Sequence, residues 1–204
     1  LLSGKKVAYM SDAGYPAVSD PGERLVKRCL AAHIKVAVVN GPSAGICALA
    51  ASGLATDHFY FEGFLPSKPS ARDKELSELK ARRETIVFYE SPHRIGETLK
   101  ALASSLGDRE ATIARELTKA HEEYIRGTLN ELASLDPTTL IGEMVIVVEG
   151  KGEEAKKELS DDDIAALLKL EAKKASMKEA IETVSKENGL PKKRVYAISL
   201  ALKK

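Results

Sequence analysis

The chain has no tryptophan, and aromatic residues of all kinds make up only 5% of it. Its two cysteines, Cys29 and Cys47, are too few for a disulfide framework or a cysteine-rich zinc site. Each sits in a helical apolar pattern and reads as a buried thiol of a reducing compartment. The longest uninterrupted apolar stretch, Ile46 to Ala51, falls far short of the about 20 residues that span a bilayer. No charged-then-apolar leader opens the sequence, so a soluble, cytoplasmic protein is expected. Neither sign of charge dominates, with 31 Lys and Arg against 30 Asp and Glu, so any contact with nucleic acid must be local. The sequence also lacks a glycine triplet at dinucleotide spacing, a phosphate loop ending in Gly-Lys-Ser/Thr, an HExxH pair and a GxSxG elbow. His93 and His121 have no second ligand at metal spacing, and no metal site is expected.

What is present is an α/β pattern long enough, at 204 residues, for at least two domains. Lys5 to Met10 reads as a short buried strand. Pro21 to Ala32 reads as a helix with Asp20 before it and Leu25, Val26, Cys29 and Leu30 on its apolar side. A second strand follows at Lys35 to Val39. Strand, helix and strand at this spacing make a βαβ unit, and ligands of open α/β sheets bind beyond the carboxyl ends of the strands. Two turn-rich loops occupy those ends, Ser11 to Gly22 (SDAGYPAVSDPG) and Asn40 to Ser43 (NGPS). Glycine permits close backbone approach to a ligand, and Ser43 is placed to cap the small-residue helix that follows. The chain opens at Leu1-Leu2-Ser3-Gly4, without a methionine, and is expected to start inside a domain.

Beyond Asp57, five segments read as strands: FYFEGFL, TIVFYES, ATIARE, EEYIRGTL and EMVIVVEG. Two helices, near Ala71 to Arg82 and Ile95 to Leu106, separate the earlier ones. The later strands follow closely and suggest antiparallel pairing, which predicts a mixed α/β domain over residues 57–150. Residues 1–56 are then the remainder of a first α/β domain, and charged residues 151–159 read as a linker. Residues 160–204 read as three short helices resembling a helix-turn-helix: Ser160 opens one, Ser176 and Glu179 form a capping box, and Gly189 and Pro191 mark the last turn. From Lys169 onward this segment holds ten Lys or Arg against four Glu. Lys192, Lys193 and Arg194, at the start of the last helix, are candidates to contact RNA phosphates, the bland alternative being a solvated helical face.

Taken singly, the remaining motifs are ambiguous. SDAGYP is compatible with an ordinary turn-rich loop, ARELTKAHEE with a solvated strand end, and Glu90 with either a helix cap or a ligand contact. Their order is more specific. SDAGYPAVSDPG, GPSA with a small-residue helix and SGL, FEGFLP, FYESPHR, ARELTK with HEE behind it, and GEMVIVVEG together resemble the tetrapyrrole methylase superfamily. Within it they resemble the branch that methylates a ribose 2′-hydroxyl of a cytidine in small-subunit ribosomal RNA.

The resemblance implies a tetrapyrrole-methylase-like α/β fold of two α/β domains, the first truncated at its N-terminus, plus the small helical domain. It implies a homodimer that binds S-adenosylmethionine between those domains and acts on the small ribosomal subunit. Carried over by position, Ala13, Gly14, Tyr15 and Val18 of the first loop, Ser43 and Ala44 of the second, and Glu90, Leu117 and Thr118 would line the cofactor site. Two departures qualify the transfer: the family's Gly-Thr-Pro is Gly14-Tyr15-Pro16 here, and its opening glycine loop and acidic EDTR segment are absent from this sequence. A ribose hydroxyl is a poor nucleophile, and a base or cation near it is typically worth about 10²- to 10⁴-fold. Glu116 and Lys119 are the candidates, with an ion pair holding the strand end as the alternative. The competing functions are a methyltransferase of corrin or porphyrin precursors and a nucleic-acid-binding regulator that senses a ligand.

Overall fold

The computed structural model describes residues 1–12, 14–152 and 159–202. Two compact units emerge, residues 1–151 and residues 152–204.

The first unit is built on a five-stranded mixed sheet of β1 (Phe59–Phe64), β2 (Thr85–Glu90), β3 (Glu110–Arg115), β4 (Glu123–Thr128) and β5 (Met144–Val148), in the order β1-β2-β5-β3-β4. β1 and β2 are parallel, as the intervening helix α3 (Pro69–Leu79) requires, and the other neighbours are antiparallel. All five residues of β5 are buried, which befits a central strand covered on both faces. Met144, Ile146 and Val148 enter one core with Ile86 and Phe88 of β2, under α3, α4 (Ile95–Leu106) and the short α5 (Leu129–Ala133). Val145 and Val147 enter a second core on the opposite face with Val87, Ala114 and two residues of helix α2 (Ala44–Ser52), Ala48 and Leu49. The alternation of period two thus assigns each residue of β2 and β5 to a face.

Helix α2 belongs to this sheet. Its small residues let it approach closely, and the carbonyls of its last turn are taken by the sheet: Thr112 Oγ1 donates to Ser52 O at 3.2 Å and Arg126 Nη2 to Ala51 O at 2.5 Å. The boundary expected between residues 56 and 57 is therefore not a division between compact units.

The two strands expected at Lys5 to Met10 and Lys35 to Val39 do not form: both segments lack regular secondary structure and have no ladder among the described residues. A strand owes its hydrogen bonds to a neighbour, and among the described residues neither segment has one to pair with. Their apolar side chains are accordingly exposed, Met10 by 82% and Val39 by 93%. Helix α1 (Glu23–Ala31) lies between them with Gly22, not Asp20, as its N-cap, and buries Cys29 alone; Cys47 is half-buried on α2.

The second unit consists of α6 (Asp161–Glu171), α7 (Met177–Asn188) and α8 (Lys192–Ala201) around Ile164, Leu168, Ile181, Val184 and Val195. Ser160 with Asp163 and Ser176 with Glu179 form reciprocal capping boxes, and Gly189 ends α7 in the left-handed conformation at φ 62°. The expected linker falls mostly on residues 153–158, outside the described residues. No described helix is long and apolar enough to cross a membrane.

Candidate functional site

The two turn-rich loops meet through Tyr15. Its hydroxyl donates to Gly41 O at 2.8 Å and accepts from Gly41 N at 3.1 Å, tying the first loop to the second. Where the family pattern has a threonine, this chain has a side chain long enough to bridge the loops. Gly14 is left-handed at φ 68°, with open space where a Cβ would be. Its glycine is thus demanded by backbone conformation rather than by crowding from this chain. Ala17 and Ser19 also take positive φ, 73° and 54°, so the loop is held in sparsely populated backbone states. Ala13 lies outside the described residues.

A depression of about 190 Å³ opens beside these loops, lined by Val18, Ser43, Gly45, Phe61, Val87 and Tyr89 among others. Ser43 is the N-cap residue of α2 by backbone geometry, but its hydroxyl makes no capping bond. Tyr89 takes that role: its hydroxyl accepts the Gly45 N–H at 3.2 Å, while its ring meets Phe61 and Phe64 edge-on at centroid distances of 5.1 and 5.7 Å. Ala44 is exposed at the first turn of the same helix.

Glu90 lies away from the depression. It follows Tyr89 by one residue and therefore points to the opposite face of the sheet, 3% exposed. There it accepts Thr98 Oγ1 at 2.6 Å and the Ser91 N–H at 2.8 Å, with the Arg94 guanidinium 3.6 Å away. Its oxygens are used in anchoring α4, on the face of the sheet away from the depression. Tyr89, Phe61 and Val87 were missed by the sequence reading, although strand alternation in FYF and TIVFYE places them on one face.

The segment after β3 is strained. Glu116 and Thr118 take φ of 52° and 67°, rare for side chains with a Cβ and costly for a β-branched one. Glu116 Oε1 accepts Lys119 Nζ at 3.0 Å and the Glu143 N–H at 3.0 Å, and the Thr118 N–H donates to Glu122 Oε2 at 2.6 Å. Lys119 also reaches Glu143 Oε2 at 3.1 Å. The ammonium of Lys119 and the Glu143 N–H hold the Glu116 carboxyl below the usual carboxylate range, and Glu116 with Glu143 raises the Lys119 ammonium above the usual lysine range. The two candidates are thus brought together as an ion pair. Leu117 packs on the core beneath α2, the sheet face that carries the depression, while Thr118 is exposed.

In the second unit, Lys192 Nζ is 2.7 Å from Glu182 Oε1, and Arg194 donates to Asp161 Oδ1 at 2.8 Å and to Leu159 O at 3.0 Å. Lys193 is exposed and makes no ion pair among the described residues.

The sequence profile of the Tetrapyrrole (Corrin/Porphyrin) Methylases matches residues 1–133, more than half of the chain. The chain belongs to this family. Among solved structures it is similar to the methyltransferase CobJ, with 21% identity and a TM-score of 0.52 over 68% of this chain and 62% of that one, a likeness of fold alone. Curated relatives are more similar. The ribosomal RNA small subunit methyltransferase I of Bacillus subtilis is 43% identical over 202 residues, 96% of this chain and 69% of the relative. The protein of the same name from Synechocystis is 42% identical over 205 residues, 99% of this chain and 74% of the relative. These two matches extend past the end of the methylase profile into the helical unit.

Proposed function

We propose that this tetrapyrrole methylase transfers the methyl group of S-adenosylmethionine to the 2′-hydroxyl of a cytidine in small-subunit ribosomal RNA. One observation carries the reading: the 43% identity to a small-subunit ribosomal RNA methyltransferase runs over 96% of the chain, so it takes in the basic helical unit as well as the methylase part. A methylase of corrin or porphyrin precursors has no need of such a unit.

The residues present suit one side of a nucleoside-bearing ligand. The depression is smaller than the about 300–1,000 Å³ of complete ligand sites, but it offers apolar walls and the uncommitted Ser43 hydroxyl beside a helix N-terminus. Bound there, S-adenosylmethionine supplies a sulfonium-activated methyl for in-line displacement. Val18, Ser43 and Ala44 hold the ligand together with Phe61 and Tyr89, Gly14 and Tyr15 shape the loop above it, and Leu117 and Thr118 close the site from the end of β3. Lys119 presents a cation to the oxygen that develops negative charge, while Glu116, a weak base in this ion pair, orients it. The hydroxyl proton passes to solvent. Lys192, Lys193 and Arg194 hold the RNA backbone. The active form is a homodimer working in the cytoplasm.

The test is incubation of the full chain with methyl-labelled S-adenosylmethionine and, in separate reactions, small-subunit RNA and porphyrin precursors. Label in RNA at a cytidine that becomes resistant to alkaline hydrolysis is expected; label in the porphyrin and none in RNA would refute the reading.

A further inference from the structure

The helical unit contains one aromatic residue, Tyr196, and does not use it in its core. That core is aliphatic, formed by Ile164, Leu168, Ile181, Val184 and Val195. A small unit gains most from burying a large ring, yet Tyr196 is 54% exposed on the solvent side of α8. Lys192 and Lys193 precede it by four and three residues, the helical spacing that puts cations and ring on one stripe. Lys193 makes no ion pair among the described residues, and Lys192 borders, with Lys186 and Glu182, a shallow depression between α7 and α8.

Resting on the ribosomal RNA reading above, we infer that this stripe binds a single-stranded stretch of the RNA: Tyr196 stacks on an unpaired base, and Lys193 and Lys192 meet the phosphates beside it. Lys192 exchanges its exposed Glu182 partner for phosphate at little expense, since such surface pairs contribute little. A duplex keeps its bases stacked on one another and offers no free ring face, so the aromatic selects a loop or bulge. A second copy of this chain fits the patch less well. A two-fold contact through it would set Lys193 and its neighbours against the same cations of the partner, whereas RNA neutralises them.

The experiment measures binding of a labelled single-stranded oligoribonucleotide and of a hairpin duplex to the full chain at several salt concentrations, for wild type, Tyr196→Ala, Tyr196→Phe and Lys193→Ala. Helix content by circular dichroism checks folding. Tyr196→Ala is expected to weaken single-strand binding at least about fivefold with unchanged salt slope, to spare the duplex, and to be rescued by Tyr196→Phe, which keeps the ring. Lys193→Ala is expected to weaken both RNAs and to lower the slope by about one unit. If Tyr196→Ala binds the single strand as wild type does while Lys193→Ala is impaired, stacking is overturned and the RNA reading survives. If wild type binds neither RNA, both fall. A change of sedimentation in Tyr196→Ala with RNA binding intact would identify the stripe as a contact between copies and overturn the inference.

Discussion

At the scale of single residues, the division of labour between Tyr89 and Glu90 decides how the FYESPHR motif is understood. Glu90→Ala removes the acceptor of Thr98 and of the Ser91 N–H from a buried position and leaves Arg94 without its carboxylate. A loss of about 2–4 kcal/mol is expected in denaturant unfolding, with the folded fraction still binding S-adenosylmethionine as wild type does. A stable variant that loses only cofactor affinity would return Glu90 to the site. Gly142 supports the neighbouring ion pair: at φ 87° it is left-handed, and a Cβ there would overlap the Glu116 carboxylate. Gly142→Ala is expected to cost about 1–2 kcal/mol from backbone conformation alone, and in addition to displace Glu116. Thermal unfolding and cofactor titration measure the two effects.

The same pair makes a prediction about pH. The Glu116 carboxyl is more acidic in the folded chain, so its contribution is present above the ordinary carboxylate range and is lost as pH falls through its lowered value. Lys119 is shifted upward, so its contribution is full below the ordinary lysine range and is lost as pH rises through its raised value. The ion pair is therefore intact throughout the neutral region, and Glu116 should place no limb on the rate profile between about pH 6 and 9. A neutral-range limb that disappears in Glu116→Gln would instead identify Glu116 as the proton acceptor.

At the scale of elements, two helices depend on partners remote in sequence. The N-terminus of α2 is held by the Tyr89 hydroxyl through the Gly45 N–H. Tyr89→Phe keeps the ring contacts and removes that acceptor, so a destabilisation of about 1 kcal/mol with weakened cofactor binding is expected. The start of α8 is held by α6 and α7, through Arg194 with Asp161 and Lys192 with Glu182. Glu182→Gln releases Lys192 and removes a negative charge from the same surface. RNA affinity should rise and the salt slope steepen, because an additional cation becomes available to phosphate; unchanged binding would mean that Lys192 never leaves Glu182 or never meets RNA.

At the scale of the whole molecule, protection is expected to be uneven. The buried strands β2 and β5 should exchange their amides only on global unfolding, whereas residues 5–10 and 35–39, irregular and without ladder partners among the described residues, should exchange at the rate of loops. Hydrogen exchange read by mass spectrometry tests this directly, and strong protection at residues 35–39 would show that a partner strand covers them. Because the helical unit has its own core, shortening the chain to end at Gly152 should leave the sheet's unfolding transition in place while RNA affinity falls.

Much of this was legible in the chain itself, because the relevant signals are local. Short runs rich in β-branched and aromatic residues located β1 to β5, and Ile95 to Leu106 was bounded correctly by its own apolar spacing. Ser160, Ser176 and Gly189 announced the ends of α6 and α7, since capping is settled within four residues. The order of the loop motifs carried the family. Other features depend on contacts that no local window contains. Residues 5–10 and 35–39 have strand-like composition but, among the described residues, no neighbour to supply ladder hydrogen bonds, so pairing, not propensity, decided their state. The side of the sheet on which Glu90 is consumed, the reach of Tyr15 to Gly41, and the ion pairs that occupy Glu116, Lys119, Lys192 and Arg194 all follow from how elements pack. A residue's type sets which bonds it is able to make, and the tertiary structure determines which of those bonds are already taken.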